Sequence, residues 1–311
     1  MALALVKHTQ LAPKSIAVGL TLAGLGAVAF SGKAIIVKLA YRHGVDAVTL
    51  IMLRMLFALP FFLAMTWWAS RQTSSGTPVQ LTRKDVLGIA WLGVTGYYLA
   101  SFLDFAGLQY ITASLERLIL YLNPTLVLLL GLVLYGRRIG VRQAVGMAIS
   151  YAGVLLVFGH EVTLQGADVA LGALLVLLSA ISYALYLFYS GEMVQRLGSL
   201  RLVGLATSVA CVLCIVQFVV LRPLDVAWAV APQVIWLSVL NATLCTVVPV
   251  MLVMMAIERI GSSLAAQVGM VGPMATMLMG VLVLDEAFTA WLVAGTALVI
   301  SGVLVCSRVG R

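Results

Sequence analysis

The chain has 311 residues, of which 63% are hydrophobic and 10% charged, with a formal net charge of +8 and a mean hydropathy of +1.12. Soluble domains are nearer half apolar and a quarter charged, so this composition excludes a water-soluble globule and makes hydrocarbon the solvent. The positive balance then reports where loops sit relative to a bilayer, not an affinity for nucleic acid.

A helix needs about 20 mostly apolar residues to cross hydrocarbon. Apolar runs between charged or Gly/Pro-rich breaks predict ten, at 15–38, 46–69, 84–106, 109–135, 140–159, 168–190, 200–221, 232–256, 259–284 and 288–306. The first follows Lys7 and Lys14 as a signal peptide would. It exceeds a typical signal core and lacks a cleavage site, so it counts as helix one. The longest connection, near 70–83, is polar (Arg71-Gln-Thr-Ser-Ser-Gly-Thr-Pro78), and no connection holds a soluble domain. All four cysteines fall inside apolar runs. Cys211-x-x-Cys214 has redox-motif spacing without a βαβ setting, so buried, inert thiols are expected.

The stretch from Ile111 to Leu155 recurs 149 positions later without a gap. Ile111, Ser114, Leu115, Pro124, Leu129, Gly131, Gly146, Ala148, Gly153, Val154 and Leu155 all meet identical residues. Matched Pro and Gly in one register mark an internal duplication, with units 1–159 and 160–311, each carrying a Pro-interrupted helix. Five spans per unit is odd, so the second unit enters the bilayer from the opposite side. With the N-terminus inside, thirteen Lys and Arg fall in cytoplasmic segments and three (Lys38, Arg42, Arg222) in outer ones. That asymmetry places both termini in the cytoplasm. Inverted repeats with broken helices are a transporter architecture.

The sequence resembles the ten-helix, EamA-type branch of the drug/metabolite transporter superfamily over essentially its whole length. The five-plus-five duplication carries the resemblance, together with Tyr121-Leu-Asn-Pro124, Leu134-Tyr-Gly136, Gly272-Pro273 and Leu284-Asp-Glu286. The Gly146–Gly153 and Gly295–Gly302 spacings of spans five and ten add to it. Where the family often closes its fourth helix with Gly-Glu, this chain has Gly136-Arg137-Arg138. The resemblance implies an all-α membrane protein with a central cavity walled by both halves, the fifth and tenth helices lying outside it.

Enzyme motifs fail on inspection. His160-Glu161 opens a zinc-protease pattern, but Leu164 stands where the second His belongs; Gly26…Gly32-Lys33 is one residue too long for a phosphate loop. Asn241-Ala-Thr243 lies within a span, out of reach of glycosylation, and His43 and His160 are read as loop residues. No cofactor, metal or nucleic acid is expected. Ionisable residues inside spans are the sharper signal, because charge in hydrocarbon is costly. Lys33, Arg54, Asp104, Glu116 and Arg117 all fall in the outer third, as a gating or solute-contacting network or as a structural one with Lys33 and Arg54 snorkelling.

Polar stripes give candidate lining positions. In span six Ser179, Ser182, Tyr183, Tyr186 and Ser190 share one face; interhelical hydrogen bonding is the alternative for the hydroxyls. Tyr98, Tyr121, Asn123, Asn241, Thr243 and Gln267 are the others, near breaks at Pro124, Pro249 and Pro273 that free backbone carbonyls. Trp67, Trp68 and Trp91 read as an interfacial belt. The expected function is secondary transport of a small zwitterionic or amphipathic solute by alternating access. Export of amino acids, aromatic ones included, is the best fit; the alternatives are a passive facilitator or the export of another metabolite or drug. The expected setting is a bacterial inner membrane, and the expected state a monomer, with a dimer as the alternative.

Overall fold

The computed structural model describes residues 13–71, 81–136 and 138–307. Among these the regular structure is helical. α1 is Pro13–Tyr41, α2 Ala47–Arg71, α3 Arg83–Gly107 and α4 Ala113–Tyr135. α5 is Val141–Gln165, α6 Asp168–Leu197 and α7 Ser199–Leu221. α8 spans 232–260, α9 262–284 and α10 Ala290–Ser307. Nine helices among the described residues are long and apolar enough to cross a membrane, and Ala290–Cys306 is a shorter apolar one. The face where α1 begins is called here the N-face, and its opposite the distal face.

The 149-residue echo is an echo of backbone geometry. α3 carries a π-helical turn at Val94–Leu99, and α8 carries one at Thr243–Val247, the same place in the second repeat. α4 breaks after Leu120 and resumes at Asn123; α9 breaks after Gly269 and resumes at Gly272. In both, a Pro sits in the first turn after the break, where its missing N–H costs no helical bond. Each helix then ends on a left-handed residue. Gly136 has φ 62° and Asp285, its counterpart, φ 60°, a conformation that only Gly adopts without strain and Asp tolerates.

Packing shows that the repeats are inverted. Gly146 of α5 lies against the carbonyl of Gly302 in α10, and Gly153 against that of Gly295. One number rises as the other falls, so equivalent helices cross antiparallel. α2 and α7 repeat the arrangement, with Phe62 beside Gly204 and Met55 beside Cys211. The α5–α10 seam is glycine because the backbones nearly touch: a Cβ at Gly153 would stand 2.7 Å from the Gly295 carbonyl. Small residues bring such seams into van der Waals contact, which drives helix association where lipid supplies no hydrophobic force. Around this frame α1 packs along α8 and α9, and α6 packs along α3 and α4. Two bundles result, each drawn from both repeats and exchanged by the pseudo-two-fold axis.

Four sequence expectations need correction. His160 lies within α5, not in a loop, because that helix continues to Gln165; α6 likewise runs on to Leu197. α8 and α9 are joined by a single non-helical residue, Gly261 (φ 77°), leaving no loop between them. Pro249 does not break α8 by itself, since it opens the α-helical segment that follows the π turn. Arg137, Ser74 and the basic termini lie outside the described residues. The four cysteines are buried and free, and Trp67, Trp68 and Trp91 are exposed on the helix surface, as a lipid-facing belt requires.

Candidate functional site

Lys33, two-thirds of the way along α1, is 6% exposed. Its Nζ lies 2.6 Å from Asp104 Oδ2 on α3 and 3.0 Å from Glu116 Oε1 on α4. The expected snorkelling is therefore wrong for this lysine: both carboxylates are buried, and a charge pair there is more favourable than a stretched side chain reaching for water. Arg54 does not snorkel either. It is 6% exposed, donates from Nε to Thr246 Oγ1 at 3.1 Å, and lies over the Phe105 ring at 5.2 Å.

Arg117 completes the layer. Its Nε donates to Thr276 Oγ1 at 3.0 Å and its Nη2 to Ser31 Oγ at 3.1 Å, with Phe30 beneath the guanidinium at 5.1 Å. Ser31 in turn donates to the Gly272 carbonyl at 2.8 Å, one of the groups freed by the break in α9. The five ionisable residues thus converge at one depth from α1, α2, α3 and α4, and the second repeat meets them with hydroxyls and carbonyls. Three cations face two carboxylates. Aligned with Lys33, Arg54, Asp104, Glu116 and Arg117 in the second repeat stand Ser182, Val203, Val253, Ala265 and Ala266. The charge is confined to one half of an otherwise symmetric frame.

Several polar atoms in this layer have no hydrogen-bond partner among the described residues. They are both Glu116 oxygens, Asp104 Oδ1, and the amide oxygen and nitrogen of Asn241. Glu116 Oε1 is close to Lys33 but out of line for a directed bond, so that contact is charge against charge. Leaving one such buried group unsatisfied costs roughly 1–3 kcal/mol.

Above the layer the distal end is shut by polar contacts, those of Lys38, Tyr41 and Glu286 crossing between the two bundles. Lys38 Nζ donates to the carbonyls of Leu108 (3.2 Å) and Ile111 (2.9 Å), and the Tyr41 hydroxyl to that of Phe105 (2.6 Å). Glu286 accepts from Ala113 N–H (2.7 Å), Ser114 N–H (3.3 Å) and Ser114 Oγ (2.7 Å), capping the first turn of α4. Arg42 Nη2 holds the Leu284 carbonyl at 2.8 Å, and Thr112 Oγ1 donates to Glu161. A pocket of about 760 Å³ opens above them, lined by Lys38, Arg42, Asp46, Gln109, Gln165 and Glu286 among others. In that pocket wall, burial works against the charge of Asp46. Hydrogen bonds from Thr49, with Arg222 beside it, outweigh this and hold its carboxyl below the ordinary range.

The remaining candidates do not gather at this layer. Ser182 donates to the Thr95 carbonyl and Ser179 to that of Ala100, both at 2.7 Å, serving carbonyls at and just beyond the π turn of α3. Tyr186 is buried, edge-on to Tyr97 at 5.1 Å and stacked on Tyr183 at 5.5 Å, with Gly96 against its ring. The α6 stripe is accordingly an interhelical seam in this conformation. Tyr121 donates to the Gly269 carbonyl at 2.5 Å, across the two breaks, and Thr243 to its own helix at Val239. Tyr98 is half-buried, Asn123 sits beside Pro124 at the α4 break, and Gln267 is exposed. Sequence reasoning missed Ser31, Phe30, Phe105, Thr276 and the distal group Lys38, Arg42, Glu161 and Glu286. The signal for Ser31 was present, since it lies two residues from Lys33; nothing local in the sequence marked Glu286 as a partner of Ser114.

The model of the EamA-like transporter family matches twice, at residues 17–159 and 170–308, which is the duplication found in the backbone. Among curated proteins, the chain is similar to the uncharacterized transporter YcbK of Bacillus subtilis (strain 168), 29% identical over 272 residues and 84% of each chain. It is also similar to the uncharacterized transporter YyaM of the same organism, 26% identical over 74% of this chain and 75% of that one. A solved crystal structure covers 96% of this chain and 97% of its own with a TM-score of 0.62 at 18% identity, a likeness of fold. A buried charge layer between two inverted, membrane-spanning repeats and a family model matching both repeats lead to one assignment: this chain is an integral membrane protein of the EamA-like transporter family, within the drug/metabolite transporter superfamily.

Proposed function

We propose that the chain is a secondary transporter that moves small zwitterionic or amphipathic metabolites, amino acids including aromatic ones, outward across a bacterial inner membrane by alternating access. The N-face is then cytoplasmic and the distal face external, as the distribution of Lys and Arg favours. The observation that carries the reading is the buried layer of three cations and two carboxylates with unpartnered polar atoms beside it. Hydrocarbon tolerates such groups when they serve a pathway, and a zwitterion supplies what they lack. Its carboxylate suits Arg54 and Arg117, which are held by neutral hydroxyls, and its ammonium suits Asp104 and Glu116.

The aromatic part of the reading rests on Phe30 and Phe105, whose rings already lie against the arginines, and not on the α6 tyrosines. The distal contacts act as the gate that seals the layer from outside while solute enters from the N-face. Proteoliposomes loaded with a labelled amino-acid panel test this directly. Saturable efflux stimulated by unlabelled phenylalanine on the far side is expected. Efflux that never saturates and shows no such stimulation would replace the carrier with a passive facilitator, and no movement of any amino acid would discard the substrate class.

A further inference from the structure

Of the two buried arginines, Arg54 keeps the more donors unused. Arg117 gives Nε and Nη2 to Thr276 and Ser31, whereas Arg54 gives only Nε, to the Thr246 hydroxyl. No carboxylate stands within salt-bridge reach of Arg54 among the described residues, and Asp104 acts on it only through space. Phe105 lies against its guanidinium at 5.2 Å. The edge with Nη1 and Nη2, which can grip a carboxylate by two parallel hydrogen bonds, is left unbound.

The Thr246 hydroxyl also leads to Asn241. It donates to the Asn241 carbonyl at 2.8 Å while accepting from Arg54 at 3.1 Å, so the two residues meet on one oxygen. Asn241 lies two positions before the π turn of α8, on a helix packed against both α1 and α2. It is 1% exposed, and neither its amide oxygen nor its amide nitrogen has a partner among the described residues. The pseudo-two-fold axis supplies a control. The positions equivalent to Arg54 and Asn241 are Val203 and Leu92, both buried, and Leu92 packs in an apolar cluster with Ile89 and Leu202. The frame therefore closes around a side chain of that size with no polar atom, and the amide of Asn241 answers to something other than packing.

We propose that Arg54 and Asn241 form a carboxylate subsite and that Asn241 sets its selectivity. This rests on the carrier reading above. The solute carboxylate accepts two hydrogen bonds from Arg54 and one from Asn241 Nδ2. Asn241 Oδ1 accepts from the ammonium that an α-amino acid holds beside its carboxylate. Being neutral, the amide leaves the charge of the arginine to the solute. A site built to bond both groups discriminates strongly against a solute that lacks either one.

Thermal unfolding of the purified full-length protein in detergent tests the subsite, with phenylalanine, 3-phenylpropionate and phenylalaninamide as probes. In the natural protein phenylalanine should raise the midpoint at the lowest concentration, 3-phenylpropionate at a higher one, and phenylalaninamide hardly at all. Asn241→Asp places a negative charge beside Arg54. It should weaken phenylalanine by at least about tenfold and strengthen phenylalaninamide by a similar factor. Asn241→Leu reproduces the apolar residue of the equivalent position. Without a probe it should unfold at a higher temperature than the natural protein, because it removes an unsatisfied buried amide, and its phenylalanine affinity should fall at least about tenfold. A lower midpoint for Asn241→Leu without a probe makes the amide structural and overturns the proposal. Phenylalanine affinity untouched by Asn241→Leu, or unchanged selection between phenylalanine and phenylalaninamide in Asn241→Asp, overturns it as well. If 3-phenylpropionate alone stabilises the natural protein and loses its effect in Asn241→Leu, the subsite stands and the amino-acid reading falls. If none of the three probes stabilises the natural protein, both fall.

Discussion

Glu286 is the residue whose loss should most directly loosen the distal closure. Its carboxylate accepts two backbone N–H groups and one hydroxyl from the first turn of α4, at 2.7, 3.3 and 2.7 Å. A hydrogen bond to a charged group contributes about 1.5–3 kcal/mol net when buried, and a carboxylate at a helix N-terminus about 0.3–2 kcal/mol. Glu286 is only partly buried, and water can replace it once the gate opens. A net contribution of about 2 kcal/mol follows, equivalent to roughly a 30-fold bias toward the closed gate. Ala113 is fully buried beneath the cap, so Ala113→Cys reports opening through its reaction with an impermeant, small thiol reagent added outside. The native cysteines are buried and should contribute little background. Glu286→Ala should raise the labelling rate at position 113 by at least about tenfold, and Glu286→Gln, which keeps a neutral acceptor, by less. Equal rates in all three proteins would refute the capping argument, and with it the distal group as a gate.

At the α5–α10 seam, Gly153→Leu would push a side chain into the Gly295 carbonyl and should destabilise by about 1–3 kcal/mol; a lower thermal unfolding midpoint in detergent checks it. Tyr186→Ala should cost about 3 kcal/mol of stability and lower membrane yield, because it empties a packed site against Gly96. Tyr186→Phe, which loses only the 3.2 Å hydroxyl contact with Tyr97, should be close to normal in both. Cysteines placed at Leu81 and Gln165, both exposed on opposite faces, should label from opposite sides of oriented vesicles; labelling of both from one side would end the topology. Asp46 sits in the connection before α2 with its carboxyl held below the ordinary range. Its contribution is therefore complete above about pH 4, the ordinary value of a free carboxyl, and lost as pH falls further. Asp46→Asn should flatten that acid limb of the stability curve.

Apolar periodicity and run length determined the helices, because a backbone in hydrocarbon must satisfy its own hydrogen bonds and has little choice but to coil. The duplication was equally legible: Pro124 and Pro273, or Gly146 and Gly295, impose the same local geometry wherever they occur. For the same reason the five in-span charges could be listed as the outlying residues of the chain. Their partners could not. Whether Lys33 snorkels or bridges depends on α3 and α4 arriving beside α1, and α6 could as well have lined a cavity as filled one with Ser182 and Tyr186. The π turn at Val94–Leu99 has no local sequence signal; the facing α6 serves it with the Ser182 hydroxyl on the Thr95 carbonyl and packs the Tyr186 ring against Gly96. Glu286 meets Ser114 across 172 positions. Such pairings are set by how the inverted repeats interlock, a tertiary fact that the composition of neither segment encodes.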